Sequence, residues 1–507
     1  MRIAASLVAL VSLGGAAACT DGPPDCAPTG GGPFAIVEGE PLAIPLACAN
    51  DPAGRPADQF AIAALPAGAT LDPATATLTW TPGLDQAAVY DLTVSVAGEA
   101  TTGALRIAVA DAFDTAGNVP PLDPVRYPEE LGLPVIFVTP RPTTEEYAPV
   151  TVTYRGRAHA AEGKLRGASS LSYPKQSYTI KFAAGDYLDE PDRAGGFHAK
   201  QRIVLTSTFD DNSYVRQRLA YEVWNRMDAD HVAVQAYSAV VYLDGQYHGL
   251  YALTDHGDDD LFAAHGLART GDVYKAINHD ANFTLRTYDG DPKATLHDGY
   301  TKKDGQPPEG QPGAFDPLDA LVDFVARSSD ATFAAELPTR VHVPDFRDWY
   351  VFVTYLLGSD SGGKNCYLFH DPAGGPWRYA PWDFNHSFGQ AWETSRTAAD
   401  DWDDFADKNR IFVRMLADPA LGPTVAARYR ALLTGPLADA TVLALFDAMV
   451  AETAAGARRD WRTWGAAYRA FDRWRDRGDL TDYDGEVAYV RQWLAARGAY
   501  LRGRLGM

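Results

Sequence analysis

Residues 358–389 read GSDSGGKNCYLFHDPAGGPWRYAPWDFNHSFG, and the rest of the chain is understood from them. Two apolar-aromatic segments, Cys366–His370 and Trp377–Trp382, flank an Asp-Pro-Ala-Gly-Gly connection. Alternating side chains around a Gly-rich turn predict a β-hairpin. Asp360 and Asn365 stand before its first strand and Asp383 stands after its second. A hairpin returns the chain to its origin, so these three side chains are expected to be neighbours. Two acids and an amide form an oxygen-rich cluster of the kind hard cations accept. The bland reading of the same residues is a loop-capping Asp, a turn Asn and an acid satisfied by backbone amides, because Asp and Asn are ordinary in turns.

The spacing matches the back end of a protein-kinase site. There an Asp is followed five positions later by an Asn, then by a hairpin and a metal-binding Asp-Phe. Here Asn365 lies five positions after Asp360, and Asp383-Phe384 closes the pattern. The stretch DSGGKNCYLFHDP…GPWRYAPWDFNHSFG resembles the signature of the spore-coat protein H (CotH) kinase family of atypical protein kinases. A second stretch, KLRGASSLSYPKQSYTIKF at Lys164–Phe182, resembles that family's Arg-Gly-x-Ser-Ser…Pro-Lys-x-Ser-Tyr-x-x-Lys motif. The resemblance implies an α+β fold: a bilobal, atypical protein-kinase-like domain with a helical C-terminal part. It also implies ATP and Mg²⁺ (or Mn²⁺) as cofactors, with Asp360, Asn365 and Asp383 catalytic and Asn365 and Asp383 on the metal.

The chain opens MRIAASLVALVSLGGAAAC, with Arg2, an apolar run and small residues before Cys19. The run is too short to span a bilayer and reads as a signal peptide over residues 1–18. Small residues followed by Cys resemble a bacterial lipobox, which implies a lipid anchor on Cys19; a plain secreted protein cut within Ala16–Ala18 is the alternative. Either way the expected location is outside the cytoplasm, in a bacterial cell envelope, where disulfides persist. Of the four cysteines, Cys26 and Cys48 are the only pair within one region and form the candidate disulfide. Cys366 reads as a small core residue. The 507-residue chain is too long for one compact core, which predicts two domains. A formal charge of −21 and a pI near 4.9 argue against a nucleic-acid partner. They also require any nucleotide site to be locally basic or to rely on a metal.

Residues 19–33 are rich in Pro and Gly and read as a tether. Residues 34–110 hold short alternating runs broken by Gly, Pro and Asp, the pattern of an all-β sandwich. LPAGATLDPATATLTWTPGLDQAAVYDLTVSV resembles the Ig-like modules common on bacterial surface proteins, with Trp80 expected in the core. Too few aromatics are present to favour carbohydrate binding over a spacer. Residues 111–125 read as a linker, and residues 126–507 as the kinase-like domain.

In that domain, Arg166-Gly167-Ala168-Ser169-Ser170 is small enough to bring backbone amides close to phosphate oxygens. The family resemblance makes Arg166, Ser169, Ser170, Lys175 and Lys181 nucleotide contacts. Gln176 departs from members with a second Lys there. RIVLTSTFDDNSYVRQRLAYEVWNRM reads as strand, turn and helix, with Asp211, Asn212 or Ser213 able to cap the helix. Glu222 on that helix, or Asp255 after the Asp244-Gly245 hairpin, is the candidate acid orienting a phosphate-binding Lys. Asp210 and Arg216 are expected to form a local ion pair. Lys275 is a further candidate phosphate Lys, and Trp377 a candidate adenine-stacking surface or a core aromatic. Residues 316–335 and 344–358 read as helices, and from Ile411 onward the chain reads as a helical buttress with mostly solvent-facing arginines. An acidic loop carries Asp400, Asp401, Asp403 and Asp404.

The function expected from all this is transfer of the ATP γ-phosphoryl group to Ser or Thr of an unidentified protein. The alternative is an adhesin or scaffold of the same fold that lost its chemistry. Asn385, where many family members carry a second Asp, is the residue that favours it.

Overall fold

The computed structural model describes residues 26–51, 54–83, 86–110, 122–190 and 197–507. The expected signal peptide, Cys19 and most of the expected linker lie outside the described residues. The chain divides into two compact units between Val119 and Pro120, and each is taken by itself.

The first unit is a sandwich of two sheets. One orders its strands Phe34–Val37, Gly103–Ala110, Ala88–Val96 and Phe60–Ile62; the other orders Leu42–Pro45, Thr77–Trp80 and Thr70–Asp72. Alternate residues point inward, so Ile44, Leu78, Leu92, Val94, Leu105 and Ile107 make one core. Trp80 lies in that core, edge-on to Tyr90, with its indole N–H given to the Ala67 carbonyl at 3.2 Å. Pairing extends upstream of Phe34, where Pro28–Thr29 lies antiparallel to Ala47–Cys48. Cys26 and Cys48 form a disulfide beside it.

The second unit begins with a closed barrel of seven strands. They are β1 (Leu133–Thr139), β2 (Ala148–Tyr154), β3 (Arg157–Arg166), β4 (Ser177–Phe182), β5 (Arg202–Thr206), β6 (Ala236–Leu243) and β7 (Gln246–Asp255). Their order is β1-β2-β3-β4-β5-β7-β6, and a parallel pairing of β6 with β1, Val135↔Val240 to Val138↔Leu243, closes the ring. Every other residue fills the inside: Ile136, Val152, Leu165, Ile180, Leu205, Val241 and Leu253 belong to one buried cluster drawn from all seven strands. The β6–β7 turn uses Asp244 and Gly245, both at positive φ (52° and 77°), as a two-residue hairpin of this hand requires.

Beside the barrel lie a second sheet and the helices. Helix α1 (Arg216–Met227) follows β5. Strands β8 (Asp272–Ala276), β9 (Tyr300–Asp304), β10 (Cys366–His370) and β11 (Arg378–Pro381) order as β9-β8-β10-β11. The expected hairpin is β10–β11, in the register Cys366↔Pro381 to Phe369↔Arg378. Helix α2 (Val343–Leu356) delivers the chain to it, stopping at Leu357 with φ 50°. The helix expected over 316–335 is two, Asp316–Arg327 and Asp330–Arg340. Ser328, in extended conformation, ends the first, and Ser329 caps the second, its hydroxyl accepting from the Thr332 N–H at 3.1 Å.

Two long C-terminal helices, α3 (Asp439–Arg469) and α4 (Tyr483–Arg504), back the unit. Their arginines are mostly solvent-facing, as the periodicity reads, but Arg459 and Arg497 are buried. Arg497 is wholly buried and donates to the carbonyls of Thr354, Tyr355, Ala399 and Asp401 at 2.5–3.1 Å. A guanidinium has five donors and no acceptor, so two carbonyls of the last turn of α2 and two of a neighbouring loop suit it.

Candidate active site

A cleft of about 630 Å³ opens between one end of the barrel and the β10–β11 hairpin. Arg166 to Ser170, Ser177, Asp210 and Gln217 line it from the barrel and α1. Lys275, Asp360, Lys364, Asn365, Trp382, Asp383 and His386 line it from the other side. The three hairpin-end residues therefore share one cavity.

The backbone aims two of them. Asn365 and Asp383 both occupy the left-handed region, at φ 57° and 63°, where Asn and Asp are among the few residues that sit readily. Main-chain bonds hold them there. Asn365 N–H goes to the Ala276 carbonyl at 3.0 Å, and Trp382 N–H to the Asn365 carbonyl at 3.0 Å. Asp383 N–H goes to the Tyr221 hydroxyl of α1 at 3.2 Å. The Asn365 amide nitrogen donates to Asp360 Oδ2 at 3.2 Å and to Ser361 Oγ at 3.4 Å, which leaves its Oδ1 for another partner. The Asp383 carboxylate is exposed to the cleft and has no hydrogen-bond or ion-pair partner among the described residues. One anionic and one amide oxygen, both uncommitted, fit a hard divalent cation.

Asp360 is held differently. Lys364 Nζ lies 2.8 Å from its Oδ1, His279 Nε2 3.7 Å from the same oxygen, and His386 Nδ1 3.8 Å from its Oδ2. Burial works to raise its pKa, but the two imidazoles and the Lys364 charge outweigh it and hold the carboxyl far below the usual range. His386 shows the mirror effect. Burial would strip its proton, yet Asp210 and Asp360 on its two sides lift its pKa to about 9.

The basic wall is formed by Arg166 and Lys275. The Arg166 guanidinium sits 5.1 Å from the Trp382 ring centroid, and Lys275 Nζ lies 5.9 Å from the same ring. Burial first, and the neighbouring Arg166 charge second, pull Lys275 down to about 8, while Asp383 works in the opposite sense. Ser169 and Ser170 form a single 3₁₀ turn at the rim.

Other expected contacts lie elsewhere. Lys175 is fully buried, giving its ammonium to Asp460 Oδ2 at 2.6 Å and the Leu250 carbonyl at 2.7 Å, so it braces α3 against the barrel. Lys181 is on the outer face of β4, 3.3 Å from Glu162, while its neighbours Ile180 and Phe182 fill the barrel. Trp377 is packed against Tyr274 and stacked on His370, and lines a separate groove. It is a core aromatic and not a wall of the main cleft. Neither acid expected to orient a Lys reaches this site: Glu222 pairs with Arg226 one turn along α1, and Asp255 pairs with Lys200 at 2.6 Å.

Asp210 and Arg216 do not pair either. Arg216 is wholly buried between Asp211, at 2.7 Å, and Glu486 of α4. Asp211 also caps α1, accepting from the Arg216 N–H at 2.9 Å. Asp210 faces the cleft instead, accepting from Tyr173, Asn385 and His386. His279 and His386 are the residues that sequence reasoning passed over, and Asp210 was read only as a structural ion-pair partner. His386 stood in the deciding stretch, but its partner is 176 residues upstream and no spacing points to it.

Comparison with known proteins adds a family. A family model described as CotH kinase protein matches residues 164–501, and one described as "Putative Ig domain" matches residues 34–110. The inner spore coat protein H of Bacillus subtilis (strain 168) is 25% identical over 236 residues, which is 46% of this chain and 60% of that protein. The chain thus covers less than two thirds of the length of that relative.

Proposed function

The chain belongs to the CotH kinase protein family, and on that premise we propose that it is an atypical protein kinase that transfers the ATP γ-phosphoryl group to Ser or Thr of a protein. A bilobal, kinase-like arrangement, with the barrel and α1 on one side of the cleft and the hairpin with the helices on the other, is part of this reading. So are export, a lipid on Cys19 and residence in a cell envelope. The N-terminal sequence and the Cys26–Cys48 disulfide support these last three.

One observation carries the proposal. Asp360, Asn365, Asp383, Arg166 and Lys275, from four separate segments, converge on one cleft large enough for a nucleotide. Asp383 and Asn365 would hold Mg²⁺ (or Mn²⁺), which when bound draws charge from phosphate oxygens. Arg166 and Lys275 would meet the phosphates from the opposite wall, with the backbone of Gly167 to Ser170 beside them. Asp360, fixed as an anion, would orient the acceptor hydroxyl and take its proton. Phosphoryl transfer needs this placement and charge neutralisation more than covalent help from the protein.

The test is thermal stability of the full chain with ATP and Mg²⁺. At a ligand concentration tenfold above Kd, binding adds about 1.4 kcal/mol by mass action, and Asp383→Ala is expected to remove the gain. Transfer of labelled phosphate to a protein acceptor, lost in Asp360→Ala, then establishes catalysis. A scaffold that keeps the fold without the chemistry is the second reading. It is favoured by Asn385, which stands where many relatives carry an acid and spends its amide on Asp210 at 2.6 Å. No stabilisation by ATP and Mg²⁺ in the wild-type chain would select it.

A further inference from the structure

The floor of the cleft holds a chain of three charged side chains. Asp210 follows β5 and is 8% exposed; His386 follows β11 and is 5% exposed. His386 Nε2 lies 3.3 Å from Asp210 Oδ2, and its Nδ1 lies 3.8 Å from Asp360 Oδ2. Asp210 is itself anchored, its Oδ2 taking Tyr173 Oη–H at 3.1 Å and the Asn385 amide at 2.6 Å, its carbonyl taking the Gln390 amide at 2.9 Å. Trp392, 42% exposed, stands edge-on over the imidazole with ring centroids 5.4 Å apart. One ring thus lies between two acids from distant parts of the chain, 3.3 Å from one and at ion-pair distance, 3.8 Å, from the other, each on its own nitrogen.

We propose that His386 is a positioning residue for phosphoryl transfer: anchored by Asp210, it fixes the direction of the Asp360 carboxylate that receives the acceptor hydroxyl. The inference rests on the kinase reading above. In the transfer step the hydroxyl oxygen bonds to the γ-phosphorus, the bond from that phosphorus to the ADP oxygen breaks, and the hydroxyl proton passes to Asp360. With a proton on both ring nitrogens, His386 has no lone pair to accept that proton, so its part is to hold the acceptor in place. The ring also stands between Asp210 and Asp360, so the two acids do not face one another directly. A buried histidine with only a packing role needs one partner at most; this one reaches from the anchored acid to the acid in the cavity.

The experiment compares the full-length wild type with His386→Gln, Asp210→Asn and the double variant. It reads kcat, KM for ATP, and melting temperature in each. Gln can donate from one nitrogen only and cannot bridge both acids, and Asp210→Asn keeps the shape of the anchor while removing its charge. The expected result is at least a tenfold fall in kcat for His386→Gln, with KM for ATP within twofold of wild type and the melting temperature within a few degrees. The double variant should be no worse than the poorer single one, because the residues act as one chain. A kcat within twofold of wild type in His386→Gln overturns the inference and leaves the kinase reading standing. Parallel losses of kcat, ATP affinity and melting temperature assign His386 to folding and also overturn it. A wild-type chain that neither binds ATP with Mg²⁺ nor transfers phosphate overturns the kinase reading and this inference together.

Discussion

Two buried charge clusters lie in the same unit and are built to opposite specifications. Around Asp460 of α3, one carboxylate oxygen takes Lys175 and the Leu250 N–H, both at 2.6 Å, and the other takes the Tyr214 hydroxyl at 2.8 Å. Nothing there is open to a ligand. Around the cleft, Asp360 is held on one oxygen by Lys364 and His279 and on the other by Asn365 and His386, whereas Asp383 has no partner among the described residues. Burying a carboxylate is costly unless it is paired, so the first arrangement is what holding two elements together requires. The second keeps its unpaired acid at the cavity surface, where solvent or a cation can satisfy it. Both clusters contain a lysine drawn from a family-like motif or a neighbouring strand, and only the pattern of partners tells the brace from the site.

The contrast can be broken most directly by exchanging the expected outcomes. Asp383→Ala should abolish measurable phosphoryl transfer with little change in the urea midpoint of unfolding, because its carboxylate is exposed and leaves no partner behind. Asp460→Ala should do the reverse. Leaving Lys175 buried and unpaired costs about 3–5 kcal/mol of stability, read as a lower urea midpoint, while the chemistry of molecules that remain folded is kept. Equal loss of stability in both variants would erase the distinction.

A pH series sharpens it. His386 has a folded pKa of about 9 against about 6.5 when unfolded, so the folded state binds its proton more tightly. Its contribution is complete below pH 6.5 and is lost as pH rises through 9, a change of at most about 3 kcal/mol. The stability difference between wild type and His386→Gln, from urea unfolding at pH 6, 7.5 and 9.5, should shrink across that window. The smallest effect is expected at Trp377. Trp377→Leu should leave the Kd for ATP with Mg²⁺ within twofold of wild type, measured by calorimetry, because the ring lies against Tyr274 and His370 and outside the main cleft. A large loss of affinity there would move the nucleotide to the groove that Trp377 lines.

The hairpin and its flanking residues were legible because local physics fixes them. A period of two, a Gly-rich turn and polar residues at the open end determine a register without help from the rest of the chain. The Ig-like sandwich and the Asp244-Gly245 turn were legible for the same reason. Lys175 was not, since what decides its role is Asp460, 285 residues later. Closure of the barrel also escaped, because it depends on β1 meeting β6 in parallel across about a hundred residues. Of the expected phosphate-binding cations Arg166, Lys175, Lys181 and Lys275, only Arg166 and Lys275 line the cleft. Strand alternation sets Lys181 outside the barrel, and a long-range ion pair removes Lys175.

Arg497 has a consequence for how the rim of the cleft can move. Its guanidinium joins the last turn of α2 to the carbonyls of Ala399 and Asp401, so the acidic stretch that follows Trp392 is riveted at its middle. A segment so fastened cannot swing as a flap over a bound nucleotide. Amide exchange along residues 399–401 should be governed by release of the C-terminal helix.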